Sequence, residues 1–323
     1  MPITRRYANQ QFTYFLGKQK VTDASEIERI NKLAIPPAWS HVEIAESARA
    51  KVQAKGRDAA GRVQAIYSPA FRQKQDTIKY ERILKFASAL PALRRQIKKD
   101  LARKKLSKEK VLACVVSLID SEFFRVGNER YAKENHSYGI TTLRSKHATI
   151  TSSTVTFDFV GKSGKEHVKT VRDPRLTRII KQLDEMPGYE IFRYKDDDGT
   201  LHDITSRDVN AYIKEYMGED FTAKDFRTWG GTLLATSAIL TQEFDDSPSK
   251  TVRTKATNAI VKQVAKRLGN TPAIAKQSYI DPRVFKAFED TIELPKLKAA
   301  MVSMKPKKYL TVEEQCVLKV LKR

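Results

Sequence analysis

Basic side chains in turn or helix-start contexts recur along this chain, and a tyrosine follows them late. Arg125 stands in FFRVGNER, Lys162 in GKSGK and Arg227 in KDFRTWGG, while Tyr279 comes nine residues after Asn270 in LGNTPAIAKQSYI. Transesterification at a phosphodiester needs little else. A phenol can attack phosphorus when the charge developing on the nonbridging oxygens meets preorganised donors and an acid protonates the departing 5′ oxygen. Arginine suits the first task, because its planar fork stays charged and can bind two phosphate oxygens. Lysine suits the second, since neighbouring cations and desolvation bring its pKa toward working pH. Taken singly, each residue has an ordinary explanation. An arginine after Phe-Phe is usually a solvated loop residue, a lysine in a turn is a solubilising charge, and Tyr279 is one of twelve tyrosines, most of which bury a ring and satisfy a hydroxyl. Arg227 near a helix start is poorly placed for the macrodipole, which favours acids there, and that points weakly to another use.

Other chemistries lack their residues. The chain has no P-loop, so nucleotide hydrolysis is not expected. The dense carboxylate cluster DDDG at 196–199 reads as a tight turn between the strand-like flanks FRYK and TLHDI, in preference to a two-metal site. The five histidines lack zinc spacing. Neither a metal nor a cofactor is therefore expected.

The surrounding composition names a partner. Against 38 Asp and Glu stand 60 Lys and Arg, a formal net charge of +22 spread over all 323 residues. Such a chain attracts a polyanion, and with no lipidation or amphipathic anchor motif the pattern of charge favours nucleic acid over a membrane surface as the expected partner. Ribosomal and chromatin proteins are equally basic but are usually shorter and poorer in aromatic core residues. Cys114 and Cys316 are the whole cysteine complement, which argues for a reducing compartment. No apolar leader or membrane-length segment is evident, so a cytoplasmic, nucleoid-associated protein is expected.

Length suggests two domains at roughly 150 residues each. In the first, Asp23 caps a short helix in DASEIERINKL, and HVEIA, AKVQA and GRVQAIY alternate in period two as an antiparallel sheet. A basic helical stretch follows from 70 to 103, and a break at the proline of ASALPALRR puts the boundary between a 1–88 unit and an 89–323 unit. Beyond it come an apolar helix over 107–124, a short polar helix over 128–137, and three strands, KHATIT, TVTFDFVG and KEHVKTVRD, with GKSGK as a hairpin turn. Helical patterns return at 174–185, 206–217, 222–242 and 251–268, the third capped by Thr222 with Asp225 and the last stopped by Gly269. Thr311 and Glu314 form a capping-box pattern in the tail. The fold class is thus α+β: a small N-terminal antiparallel β-sheet domain, then a mainly α-helical domain around a small three-stranded sheet.

These blocks resemble the type IB DNA topoisomerases of the small poxviral and bacterial kind. FFRVGNERYAKENHSYGITTLRSKH looks like their first catalytic block, with Arg125 as its arginine; DFVGKSGK resembles their hairpin, making Lys162 the general acid; KDFRTWGG is similar to the block of the second arginine, Arg227; and LGNTPAIAKQSYI resembles the block of the nucleophile, Tyr279. The blocks occur in the family's order over most of residues 60–285. Asn270 departs from the poxviral histidine, yet its amide N–H can bond a nonbridging oxygen as imidazole does. The resemblance implies a monomer that closes on double-stranded DNA as a clamp and relaxes both supercoil signs without ATP or metal. It also implies groove contacts from Gln64 and Tyr67 in the N-terminal sheet and from Arg130 and Tyr131 on the short helix, with Lys224 on a phosphate. Ala65 takes the place of a base-contacting tyrosine, so the poxviral site preference does not carry over. A tyrosine recombinase is the alternative; its His-x-x-Arg is here Lys224-Asp-Phe-Arg227.

Overall fold

A computed structural model describes residues 1–242, 249–289 and 293–322, and the chain divides into compact units Met1–Glu81 and Arg82–Arg323. In the first unit the hairpin of β1 (Ile3–Ala8) and β2 (Gln11–Leu16) turns at Asn9 and Gln10. Both have positive φ, 50° and 61°, which a two-residue type I′ connection requires. Together with β3 (Gln19–Lys20), β4 (Ser40–Ile44), β5 (Val52–Arg57) and β6 (Val63–Tyr67) they form a six-stranded antiparallel sheet in the order β3-β2-β1-β4-β5-β6. Helix α1 (Ala24–Lys32), capped by Asp23 as expected, adds Ile30 to a core of Ile3, Val42, Ile44 and Ala54.

Helix α2 (Pro69–Leu101) corrects the sequence expectation of a break, for Pro91 lies inside it. An interior proline costs about 3 kcal/mol. Leu90 and Leu93 beside it are fully buried, and two such side chains recover about 1.5–3 kcal/mol each, so packing outweighs the missing hydrogen bond.

The second unit is built on α3 (Lys108–Glu122), whose residues Val111 to Val116 are all buried. Around it lie α4 (Glu129–Asn135), the antiparallel sheet β7 (Ala148–Ile150), β8 (Val155–Val160) and β9 (Glu166–Val171), α5 (Pro174–Asp184), the hairpin β10 (Arg193–Lys195) and β11 (Leu201–Asp203), and α6 (Ser206–Met217). Next come α7 (Ala223–Thr241), begun by the Thr222–Asp225 capping box, α8 (Lys250–Leu268), α9 (Pro272–Ser278), α10 (Pro282–Glu289), α11 (Glu293–Ser303) and α12 (Val312–Leu321). Their apolar faces meet in a core that includes Phe123, Ile239, Ile260, Leu268, Ile280, Phe288 and Val320. A buried ion network fixes α7 in this core. Arg94 on α2 bonds Asp120 on α3 and Glu314 on α12, both at 2.7 Å, and Glu314 accepts from the Trp229 indole of α7 at 3.4 Å.

Candidate functional site

Helix ends deliver the candidate residues. Helix α3 stops at Phe123 in the left-handed region, and the chain then carries Arg125 across to residues 139–141, where Ile140 N–H donates to Arg125 O at 2.8 Å. Only glycines permit that crossing. A Cβ on Gly139 would stand 2.5 Å from the Gly127 nitrogen, and Gly127 itself has φ 103°. Helix α8 ends at Gly269 in the same left-handed way and delivers Asn270, after which Thr271 caps α9 and Tyr279 closes it. On α7, Gly230 and Gly231 leave room for Phe123 and Tyr279, for a Cβ on either would lie 2.3 Å from the Phe123 ring or 2.5 Å from Tyr279 O. Thr232 Oγ1 holds the Tyr279 segment by donating to Tyr279 O at 3.3 Å and accepting from Asp281 N at 3.1 Å.

The geometry brings Arg125, Arg227, Asn270 and Tyr279 together. Arg227 is 4% exposed, and its fork donates to Phe123 O at 2.8 Å and Leu268 O at 2.7 Å. Those carbonyls end α3 and α8, where the macrodipole is negative, so a guanidinium in the second turn of α7 is matched by the C-terminal ends of two other helices. Its central carbon stands 5.0 Å from the Tyr279 ring centroid. Arg125 Nη2 donates to Asn270 Oδ1 at 2.6 Å, which turns the amide so that Nδ2 is left to donate. Buried Nδ2 of Asn270 and Nε of Arg227 have no hydrogen-bond partner in the protein. A buried donor left unpaired is costly, and two in the cluster of Arg125, Arg227 and Asn270 fit an anionic oxygen supplied from outside. Lys162 is exposed in the β8–β9 turn, where Ser163 and Gly164 have φ 64° and 70° and Gly161 N–H bonds Lys165 O at 2.7 Å.

The electrostatics follow from crowded cations in a partly dry site. Burial, then the neighbouring Arg227, pushes the Arg125 guanidinium down to about 10. Burial also lowers Arg227. Burial would raise the Tyr279 phenol, but the charge of Arg227 and its side-chain hydrogen bond to the phenol, then the charges of Arg125 and Lys162, more than reverse it, so the net shift is downward and toward the phenolate. The exposed lysine is thus felt at the tyrosine.

Two buried neighbours escape the sequence reading. Strand β9 turns His167 and Lys169 inward, at 8% and 6% exposure. Burial, then Lys169 and the arginines, brings His167 down to about 4, and the imidazole is wedged where a Cβ on Gly161 or Gly269 would strike it at 2.6 or 1.9 Å. The period-two spacing of His167, Lys169 and Val171 in KEHVKTV was the available signal, since it shares one face between an apolar residue and two polar ones.

The other expected contacts are dispersed. Gln64 and Tyr67 lie on β6 of the N-terminal unit; Gln64 Nε2 donates to Asp58 at 2.9 Å, and the exposed Tyr67 stacks on Phe71 at 5.3 Å. On α4, Arg130 pairs with Glu134 at 2.9 Å and Tyr131 is exposed, while Lys224 is exposed in the first turn of α7. The DDDG segment is the turn of the β10–β11 hairpin, with Asp196 accepting from Thr200 N and His202 at 2.7 Å. Among the described residues no three His, Cys, Asp or Glu side chains converge as a metal site requires, and no helix is long and apolar enough to cross a membrane.

Comparison with known proteins agrees with this architecture. Residues 68–305 match the family model described as eukaryotic DNA topoisomerase I, catalytic core, and residues 11–58 match that of the bacterial DNA topoisomerase IB N-terminal domain. The chain is 36% identical over 275 residues to DNA topoisomerase 1B of Acanthamoeba polyphaga mimivirus, covering 83% of this chain and 81% of the viral protein. It is 25% identical over 236 residues to DNA topoisomerase 1B of Vaccinia virus strain Copenhagen, covering 73% and 72%. Over 188 residues it is 28% identical to DNA topoisomerase 1 beta of Arabidopsis thaliana, covering 57% of this chain and 20% of the plant protein. With a family model matched across most of its length, the chain belongs to the type IB DNA topoisomerases.

Proposed function

We propose that the protein relaxes double-stranded DNA by nicking one strand, letting it rotate and resealing it. Tyr279 Oη gives up its proton to solvent and attacks phosphorus, forming a 3′-phosphotyrosyl ester as the P–O5′ bond breaks, and Lys162 gives a proton to the departing oxygen and regains one from solvent. Arg125, Arg227 and Asn270 hold the nonbridging oxygens. Because the ester conserves the energy of the broken phosphodiester, the 5′ hydroxyl reverses the step without a nucleotide, and torsion drives relaxation of either supercoil sign. The supporting observation is a pair of buried donors without protein partners, Asn270 Nδ2 next to Arg125 and Arg227 Nε next to a phenol shifted toward its anion. Lys224 binds a backbone phosphate, and Gln64, Tyr67, Arg130 and Tyr131 contact the grooves, Gln64 suiting the paired donor and acceptor of adenine. Closure of the N-terminal unit over bound duplex, action as a monomer and residence on the nucleoid belong to the same proposal.

Denaturing electrophoresis of end-labelled duplex tests it. Label retained on wild type and lost with Tyr279→Phe is the expected result; label retained on the phenylalanine variant would remove Tyr279 from the chemistry.

A further inference from the structure

Lys169 has no part in the chemistry proposed above, yet among the described residues it is one of the few buried cations. Its Nζ donates to Glu122 O at 2.5 Å and Arg267 O at 3.3 Å, carbonyls in the last turns of α3 and α8. Arg227 makes the corresponding pair of bonds one residue further along each segment, to Phe123 O and Leu268 O. The side chains of Glu122 and Arg267 also meet, at 2.6 Å. Two residues beyond Phe123 and Leu268, the ladder ends in the 2.6 Å bond from Arg125 to Asn270. The segments leaving α3 and α8 are therefore cross-tied at matching residues, and the last tie joins two of the groups assigned to the phosphate.

A lysine is an expensive way to fill this space. Burial and the charges of Arg267, Arg227 and Arg125 bring its ammonium down to about 8 against the pull of Glu122. A methionine would occupy similar volume without that cost. What methionine cannot do is bond the carbonyl ends of two helices at once, where unpaired acceptors and dipoles favour a cation.

We infer that Lys169 is a positioning residue for strand cleavage, holding the segments after α3 and α8 in the register that sets Arg125 and Asn270 on one phosphate. This rests on the roles proposed for those two residues and for Tyr279. The electrostatic match needed in the transition state is steep in distance, so a shift of about 1 Å is worth ~100-fold in rate.

The test is single-turnover formation of the covalent adduct on saturating labelled duplex, with Lys169→Met and Lys169→Gln. The methionine variant should be slowed ~100-fold and the glutamine variant, which keeps a shorter donor, about tenfold, with unchanged affinity for duplex. Duplex carrying sulfur at the bridging 5′ position loses its leaving group without an acid, and the defect should persist on it, because the fault lies at the nonbridging oxygens. Wild-type rates from either folded variant, slowing that merely follows weakened binding, or a defect that disappears on the sulfur substrate would overturn the inference. Should Lys169→Met fail to fold, Lys169→Gln decides by the same criteria. If wild type itself forms no adduct, the proposed function fails and not the positioning role alone.

Discussion

Asn270 shows how one amide is made directional. Arg125 occupies its oxygen at 2.6 Å, and the nitrogen is buried and without a protein partner. Asn270→Ala removes that donor and also deprives Arg125 of an acceptor, so cleavage should fall ~100-fold, the scale on which one oxyanion donor acts. Asn270→His keeps an N–H and should retain activity, with a pH dependence near neutrality that an amide lacks. Single-turnover adduct formation across pH measures both, and an alanine variant as fast as wild type would remove Asn270 from the site. The set proposed at 125, 162, 227, 270 and 279 comes from the sequence, where those residue types stand in order with their neighbours. Lys169 and His167 were not legible there, because an inward-facing polar residue on a strand looks like an outward-facing one until the sheet is packed.

At the scale of elements, the site depends on where helices stop and how closely they approach. Left-handed residues Phe123 and Gly269 end α3 and α8, and the glycine pair on α7 admits the neighbours that follow. Gly231→Ala would put a methyl 2.5 Å from the Tyr279 carbonyl oxygen, a backbone atom already held by Thr232. The expected outcome is a loss of about 1–3 kcal/mol in stability from overpacking, together with slower adduct formation. Thermal melting and single-turnover cleavage check it; an alanine variant that melts and cleaves like wild type would show that α7 and α9 can separate freely. Caps were the best-read feature of the sequence, with Asp23, Thr222 and Thr311 all starting helices as expected. Pro91 was misread because the local rule is worth less than the buried leucines beside it. The β1–β2 hairpin was missed although FTYFL alternates around an Asn-Gln turn, a pair less familiar than Asn-Gly in that position.

For the whole molecule, charge is the governing quantity. A net charge of +22 should make association with duplex fall steeply with salt, log K declining with log salt at a slope of roughly −0.9 for each phosphate neutralised. Relaxation of plasmid should persist in EDTA if the chain's own cations match the phosphate charge, as proposed. Filter binding over a salt series and relaxation with and without chelator measure these outcomes; a flat salt response or loss of relaxation on chelation would contradict them.

Composition, residue types and local periodicity determined that this is a basic α+β chain with a set of side chains whose types suit a phosphate, since those signals need only near neighbours along the backbone. Which donors those side chains retain, how burial and opposing charge divide the pKa values of Tyr279, Arg125 and Lys169, and how two helix ends are tied in register were decided by the tertiary structure. Each of those properties is set by groups about 40 to 150 residues apart in sequence that folding brings within a few ångströms, where desolvation and Coulomb interaction become strong.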